Sequence, residues 1–139
     1  MDFTNKKVLV IGLARSGMAA IKVLRKLGAQ VVLSESKKKE DIKELDFLTE
    51  NGVEILGQTP EVFEGDYFMA VKNPGVPYRS PLIKKLEERN IPVITEIELA
   101  YIVAKPQHYI AITGTNGKTT TTTLMYNILK GAYGEKAHL

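Results

Sequence analysis

The chain has 139 residues, of which 44% are apolar and 25% charged, and its formal net charge is +3 at pH 7. This length is enough for one well-buried core and the beginning of a second. The positive charge is scattered, with residues 37–39 as the only run of three lysines, which excludes an extended nucleic-acid footprint. The absence of cysteine excludes disulfides and thiolate metal sites.

The sequence contains no apolar run of the length that a signal peptide or a membrane span needs. The first apolar run, residues 8–11, ends at Gly12. A cysteine-free chain also fits a reducing compartment. We therefore expect a cytoplasmic protein with no membrane partner and no nucleic-acid partner.

Strand and helix patterns alternate through the first hundred residues. The apolar run 8–11 is typical of a strand buried on both faces, and the glycine turn that follows it leads into a helix ending at Gly28. The helix over 80–89 begins with Ser80 as its cap and Pro81 at its first position. Further strands are predicted over 31–33, 53–56, 67–71 and 93–94, and a helix over 38–50. This alternation predicts an α/β fold with a Rossmann-like, doubly wound parallel sheet of about five strands.

A domain boundary is predicted near Pro106. Thr95-Glu-Ile-Glu98 forms a capping box that opens a helix to about residue 103, and the segment 104–107 follows it. The predicted domains are therefore 1–104 and 105–139. The second contains a strand over 109–113, a glycine loop and a helix, a single βα unit that cannot bury a core alone, so we expect the start of a truncated α/β domain. An unpaired edge at 109–113 predicts that the fragment can self-associate, whereas the full protein is expected to be a monomer.

The glycine loop has the residues of a phosphate loop. Residues 114–120 read Gly-Thr-Asn-Gly-Lys-Thr-Thr, in which Lys118 suits β- and γ-phosphates and the Thr119 hydroxyl suits Mg²⁺. The match to the general pattern is incomplete, because Ile112 stands where the first glycine belongs, and an ordinary strand-to-helix turn is the alternative. Five consecutive threonines at 119–123 disfavour a helix, which indicates another function for the first hydroxyls. Leu124, Ile128 and Leu129 predict a helix over 119–130 that packs one face inward.

The earlier glycine turn supports a rival interpretation. Gly12-x-Ala14-x-x-Gly17 resembles the dinucleotide fingerprint, and Glu35 stands where an acidic residue would hold a ribose, so an NAD-dependent dehydrogenase is the alternative. Against it, the Ala14 methyl group would crowd a pyrophosphate. A second phosphate loop also has no use in a plain dehydrogenase.

Four motifs together resemble the Mur ligases, the ATP-dependent amide ligases that build the peptidoglycan peptide. They are Gly-Leu-Ala-Arg-Ser-Gly at 12–17, Asn-Pro-Gly-Val-Pro at 73–77, Thr-Glu-Ile-Glu-Leu-Ala at 95–100 and Thr-Gly-Thr-Asn-Gly-Lys-Thr-Thr at 113–120. The resemblance covers the whole chain and is strongest to the D-glutamate-adding branch. The L-alanine-adding branch, which usually has His in place of Asn116, resembles it less well and remains an alternative.

The resemblance implies that 1–104 binds the UDP part of a substrate and that 105–139 begins an ATP-binding central domain. The implied reaction uses ATP and Mg²⁺ to phosphorylate the carboxylate of UDP-N-acetylmuramoyl-L-alanine, and the amine of D-glutamate then attacks the acyl phosphate. Lys118 and Thr119 are the implied catalytic residues, with Thr119 as a Mg²⁺ ligand. The implied ATP-binding residues are Gly114, Thr115, Asn116, Gly117, Lys118, Thr119 and Thr120. The implied UDP-substrate residues are Leu13, Arg15, Ser16, Glu35, Ser36, Asn73, Pro74 and Gly75.

Other interpretations remain for parts of this set. A type II turn also explains Asn-Pro-Gly at 73–75. His108 and His138 are not expected to bind metal, since neither has a partner at ligand spacing. The family's other metal ligands, adenine pocket and D-glutamate site are expected beyond residue 139. This fragment should therefore bind a uridine nucleotide without catalysing the ligation.

Overall fold

In a computed structural model the chain forms two compact units, Met1–Lys105 and Pro106–Leu139. The structure describes residues 1–57, 59–106 and 108–138. Two residues of the predicted organisation, Gln107 in the boundary segment and Leu139 at the end of the second domain, lie outside the described residues. The separate roles assigned to 1–104 and 105–139 stay predictions.

The first unit contains a sheet of five strands: β1 (Lys7–Ile11), β2 (Gln30–Ser34), β3 (Glu54–Leu56), β4 (Met69–Lys72) and β5 (Val93–Thr95). Every neighbouring pair is parallel, and the order in the sheet is β3-β2-β1-β4-β5. The central strand, β1, pairs with β2 on one side and with β4 on the other. The order reverses at β1 because the chain first builds outward through β2 and β3 and then returns to the opposite side of β1.

Helices cover both faces of this sheet. The helices of the first unit are α1 (Arg15–Lys26), α2 (Leu45–Glu50), α3 (Pro60–Glu64), α4 (Pro81–Glu88) and α5 (Glu96–Ala104). On one face α1, α2 and α5 bury Ile21, Leu48 and Leu99 against Val8 and Val10 of β1. On the other face α3 and α4 pack against the alternate residues of the same strands, in a second buried cluster. Burial on both faces explains the continuous apolar strands, and the predicted doubly wound α/β sheet is confirmed.

The close approach of α1 to the end of β1 requires glycine at position 17. A Cβ on Gly17 would lie 2.2 Å from the Gly12 carbonyl oxygen, far inside van der Waals contact. Gly12 itself has a φ of +88°, a conformation that favours glycine. These two glycines fold the turn back tightly, so that α1 starts directly beneath the end of the central strand.

The predicted helix starts at Ser80 and Thr95 are confirmed. The Ser80 hydroxyl accepts a hydrogen bond of 3.4 Å from Ile83 N, with Pro81 in the first turn. At α5 the Glu98 backbone donates to the Thr95 hydroxyl, while the Glu98 carboxylate accepts from Thr95 N at 2.7 Å. Each cap satisfies N–H groups that the helix itself leaves open.

The prediction of one continuous helix over 38–50 is wrong. A short 3₁₀ turn, Lys39–Asp41, is followed by an extended residue, Ile42, and only then by α2. Extended backbone at Ile42 lets its side chain reach the core, where it is buried. Three lysines at 37–39 would also meet the positive end of a helix dipole. The short helix α3 was not predicted.

The second unit contains α6 (Lys118–Tyr133) and a 3₁₀ turn, Gly134–Lys136. The strand predicted over 109–113 is wrong, because these residues form no ladder in the described chain. A strand exists only with a hydrogen-bonded neighbour, and the unpaired edge expected there is likewise not formed. The expectation that α6 packs one face inward is also wrong, since none of its residues is buried and Ile128 is 66% exposed.

Among the residues that the structure describes, no helix combines the length and the apolar character needed to cross a membrane.

Candidate functional site

The loops that carry the predicted substrate residues meet at one edge of the sheet. Parallel strands end at the same edge, and the register aligns Ile11 of β1 with Ser34 of β2 and with Lys72 of β4. The loops after these three strands therefore flank the position at which the strand order reverses. Open α/β sheets bind their ligands at this position.

The carboxylate of Glu35 organises two of these loops. Its Oε2 accepts a hydrogen bond of 2.7 Å from Leu13 N, and its Oε1 accepts from Ser36 N at 2.8 Å, the Ser36 hydroxyl at 3.1 Å and Lys37 N at 3.2 Å. The residue is 8% exposed. Three predicted site residues, Leu13, Glu35 and Ser36, are thus brought together, with Glu35 joining the β1 turn to the end of β2.

The hydrogen bonds decide the protonation state of Glu35. Burial raises the pKa of this carboxyl group. The hydrogen bonds from the backbone N–H groups of Leu13 and Lys37 and from Ser36 lower the pKa by more than burial raises it, so the pKa of Glu35 lies below its ordinary value. Glu35 is therefore ionised at neutral pH and is held in place as an acceptor.

Asn73 connects the third loop to the first. Its Nδ2 donates to the Ser16 hydroxyl at 3.0 Å, and its Oδ1 accepts from Gly75 N at 3.0 Å. The second bond closes a turn of the Asn side chain onto its own backbone, which holds Pro74 and Gly75 at the surface. A Cβ on Gly12 would lie 3.3 Å from Asn73 Cβ, so the loops are in direct contact.

Arg15 is exposed at the first position of α1. The cap residue of this helix, Ala14, makes no side-chain cap hydrogen bond. The first N–H groups of α1 thus keep their capacity for an anion, and Arg15 adds a positive charge beside them.

A cleft of about 120 Å³ opens beside these loops. Of the predicted substrate residues only Glu35 and Ser36 line it. The remaining lining comes from Ile11, Gly12, Ser34, Phe63, Val76, Ser80, Pro81 and Leu82. The sequence identified Ser80 and Pro81 as the start of a helix. Because a helix that follows a central parallel strand begins at the edge of the sheet where ligands bind, their place in the cleft could have been predicted from the sequence. Phe63 lies on α3, which the sequence did not reveal.

The second unit holds the predicted phosphate loop. Lys118 Nζ donates to the Gly114 carbonyl oxygen and, at 3.3 Å, to that of Thr115. Gly114 and Gly117 have φ values of +156° and +76°, which explains why glycine stands there. The lysine thus closes the loop on itself, and Gly117 caps α6 without a side-chain hydrogen bond. Asn116 is exposed in the same loop.

The five threonines divide into two groups. Thr122 and Thr123 direct their hydroxyls to the carbonyls one turn back, at 2.8 and 2.9 Å. Thr119, Thr120 and Thr121 are exposed, and their hydroxyls make no hydrogen bond within the described chain. The hydroxyls of Thr119 and Thr120, at the start of the helix, are therefore available to a ligand, and their function in binding one stays a prediction.

No group of three or more His, Cys, Asp or Glu side chains that could hold a metal ion occurs in the described ranges. Within the phosphate loop this chain offers Mg²⁺ only neutral oxygens such as that of Thr119. Such a set fits an ion that also binds phosphate oxygens.

Comparison with known proteins finds a family model that matches most of the sheet unit and relatives that match nearly the whole chain. A family model described as "Mur ligase MurD-like, N-terminal domain" matches residues 6–95. The UDP-N-acetylmuramoylalanine–D-glutamate ligase of Lactococcus lactis subsp. lactis (strain IL1403) is 49% identical over 139 residues, which cover 99% of this chain and 30% of the relative. This chain therefore spans about 30% of the length of such relatives.

Two solved structures share the fold. The murein peptide ligase of Psychrobacter arcticus 273-4 gives a TM-score of 0.65 at 21% identity, over 92% of this chain and 27% of the other. The UDP-N-acetylmuramate–alanine ligase of Thermotoga maritima gives 0.58 at 23% identity, over 92% and 30%.

Proposed function

This chain belongs to the MurD-like Mur ligases, and from that membership we propose that it is the N-terminal part of an enzyme that adds D-glutamate to UDP-N-acetylmuramoyl-L-alanine. The observation that carries the proposal is the extent of the similarity to enzymes of this name, which includes the phosphate loop as well as the sheet domain. ATP and a nucleotide-linked substrate are both cytoplasmic compounds, so the proposed location is the cytoplasm.

In this proposal the first unit holds the UDP group at the carboxyl edge of the sheet. The open N–H groups of α1 and the Arg15 side chain suit the diphosphate. The cleft beside Glu35 and Ser36 suits the uracil and ribose. Glu35 acts mainly by holding Leu13 and Ser36 in position, while Asn73 holds the 73–75 turn against Ser16. Within the described chain Oε2 of Glu35 accepts a single hydrogen bond, from Leu13 N, so its second lone pair can accept from a ribose hydroxyl.

In the second unit the loop residues Gly114, Thr115, Asn116 and Gly117 would surround the phosphates of ATP, with Thr120 at the start of α6. Lys118 already points into the loop, where it bonds carbonyl oxygens that phosphate oxygens would replace. The exposed Thr119 hydroxyl would hold Mg²⁺, which supplies charge neutralisation during phosphoryl transfer. Lys118 would lower the barrier by stabilising the negative charge on the transferred group.

The proposed chemistry forms an acyl phosphate on the substrate carboxylate, which the amine of D-glutamate then attacks. The MurD-like match favours this branch over the L-alanine-adding ligases and over an NAD-dependent dehydrogenase. Calorimetric titration of this chain with UDP-N-acetylmuramoyl-L-alanine and, in parallel, with NAD⁺ tests the first half of the proposal. Binding of the uridine compound alone is expected, whereas binding of NAD⁺ alone would overturn it.

The phosphate loop is tested by Lys118→Ala in the full-length enzyme. Loss of the ammonium group is expected to reduce ligation at least about a hundredfold, because one electrostatic contact to a transition state is worth that much. Binding of UDP-N-acetylmuramoyl-L-alanine should stay within about twofold, since Lys118 lies outside the sheet unit. Activity is measured as phosphate release and binding by calorimetry.

The matched control is Lys130→Ala, an exposed lysine on the same helix. It should retain ligation. Comparable activity in the Lys118→Ala and Lys130→Ala enzymes would refute the assignment of the phosphate loop.

A further inference from the structure

Lys72 is a buried cation at the centre of the ligand edge. It is the last residue of β4, is 4% exposed, and lies between Ile11 and Thr95 in the sheet register. Lysine is almost never buried without an anionic partner. In the part of the chain that the structure describes, the ion pairs are Lys7 with Glu54 and Lys85 with Glu88, and neither includes Lys72. The burial of this charge therefore needs another explanation.

Within the described chain, the hydrogen bonds and the ring contact of the Lys72 ammonium group are made to the segment that follows it, residues 73–78, here called the 73–78 loop. Its Nζ donates to the Val76 carbonyl oxygen at 3.0 Å and to that of Asn73 at 3.4 Å, and it lies 4.2 Å from the centre of the Tyr78 ring. Carbonyl dipoles and an aromatic face stabilise a cation without cancelling its charge. These contacts leave the positive charge of Lys72 in place, and within the described chain the ionised Glu35 at the same edge bonds to Leu13, Ser36 and Lys37, not to Lys72.

The 73–78 loop is also a wall of the cleft. Val76 lines the cleft, and its Cγ2 would lie 3.4 Å from a Cβ on Gly12. The Lys72 side chain thus holds a cleft wall against the β1 turn. Neighbouring strands lie about 4.8 Å apart, so the end of β4 that carries this cation is one strand away from the turn that leads into α1.

We propose that Lys72 is a specificity-determining residue of the nucleotide cleft: its buried ammonium group holds the 73–78 loop in place and favours a nucleoside diphosphate over the uncharged nucleoside. This inference rests on the proposed function of the first unit. The ligand class follows from the unpaired positive charge beside a helix start that is itself suited to anions.

The test compares UDP with uridine as ligands of this chain and of two variants. Lys72→Gln keeps an N–H donor for the Val76 carbonyl but removes the charge, and Lys72→Met removes both. The Gln variant is expected to lose about tenfold in UDP affinity, which corresponds to about 1.4 kcal/mol, with uridine affinity changed less than about twofold. Its UDP binding should also depend less on salt, because a charge contact has been removed. The Met variant should lose affinity for both ligands.

Lys84→Met, on the exposed side of α4, changes the net charge equally and is the control; it should bind both ligands as the unaltered chain does. Equal losses for UDP and uridine in Lys72→Gln would reduce Lys72 to a structural residue and overturn the proposal, as would unchanged binding of both. If the Met variant does not fold, the comparison of UDP with uridine affinity in the Gln variant is sufficient to test the proposal. If the unaltered chain binds neither ligand, the proposed function of the first unit fails together with this inference.

Discussion

At the scale of single residues, Glu35 is notable because its side chain makes four hydrogen bonds within the described chain. Three backbone N–H groups and one hydroxyl converge on its carboxylate. A carboxylate of this kind fixes the ends of two strands relative to each other. It is therefore a residue on which both the stability of the first unit and the shape of the cleft depend.

Replacement of Glu35 by Gln tests this role through stability. At neutral pH the amide leaves at least one N–H group facing another donor, and a loss of about 1–3 kcal/mol in the free energy of unfolding is expected. The pKa of Glu35 is lowered by folding, so its contribution is complete above the unfolded-state pKa of about 4.3 and is lost as the pH falls through the lower folded-state value. The difference between the two proteins should shrink at about pH 3. Urea unfolding at both pH values measures it.

Glu87→Gln, an exposed change on α4, is the control and should stay within about 0.5 kcal/mol of the unaltered chain. A Glu35→Gln deficit that is the same at neutral and acidic pH would mean that the charge of this carboxylate does not contribute.

At the scale of elements, the capping box of α5 fixes where the last helix of the first unit begins. The Thr95 hydroxyl and the Glu98 carboxylate satisfy each other's backbone N–H groups. Thr95→Ala is expected to cost about 1 kcal/mol of unfolding free energy with an unchanged denaturant slope. Thr95→Ser, which keeps the hydroxyl, should recover most of the loss. Thr49→Ala, at an exposed helix position, should be nearly neutral; a loss there as large as that of Thr95→Ala would contradict the capping explanation.

The elements differ in how far their own residues determine them. Buried strands such as β1 are continuous apolar runs, and the starts of α4 and α5 carry their caps in the sequence, so these were predictable. The spacing of Ile42, Leu45 and Leu48 fits one long helix as well as a turn followed by a short one, and only the core that receives Ile42 decides between them. The segment 109–113 has strand composition, but a strand also needs a neighbour in space.

The residues of the candidate site also differ in how far the sequence reveals them. Its polar residues were visible in motifs, and the structure brings Leu13, Glu35 and Ser36 into contact. Phe63 and Leu82, in contrast, have the composition of core residues. Their position on the wall of the cleft depends on how α3 and α4 leave one edge of the core open, which no local pattern contains.

At the scale of the whole molecule, the two units differ in what stabilises them. The first has a buried cluster on each face of its sheet. The second has no buried residue on α6, where Leu124, Ile128 and Tyr133 are exposed. Hydrophobic burial is the main source of folding free energy, so the Glu35 and Thr95 variants both report on the unit that has a core.

The loop conformation at Asn116 and Gly117 also determines how the protein ages chemically. The chain contains two Asn-Gly pairs, the sequence in which the glycine nitrogen most easily attacks the side-chain carbonyl carbon, because no Cβ obstructs it. The attack closes a five-membered imide and releases ammonia, and water then opens the ring to an aspartyl or isoaspartyl residue. At Asn51 the side-chain amide is bonded to the Phe47 carbonyl at 2.8 Å, and Gly52 N donates to Thr49 O at 3.0 Å.

At Asn116 no such restraint exists in the described chain, since the residue is exposed and Gly117 N has no acceptor there. After prolonged incubation at mildly alkaline pH, peptide mapping by mass spectrometry is expected to find amide-to-acid conversion at position 116 well before position 51. Earlier conversion at Asn51 would contradict this order. A carboxylate formed at position 116 would face the phosphates that the loop is proposed to bind, so older preparations of the full-length enzyme should show weaker apparent binding of ATP.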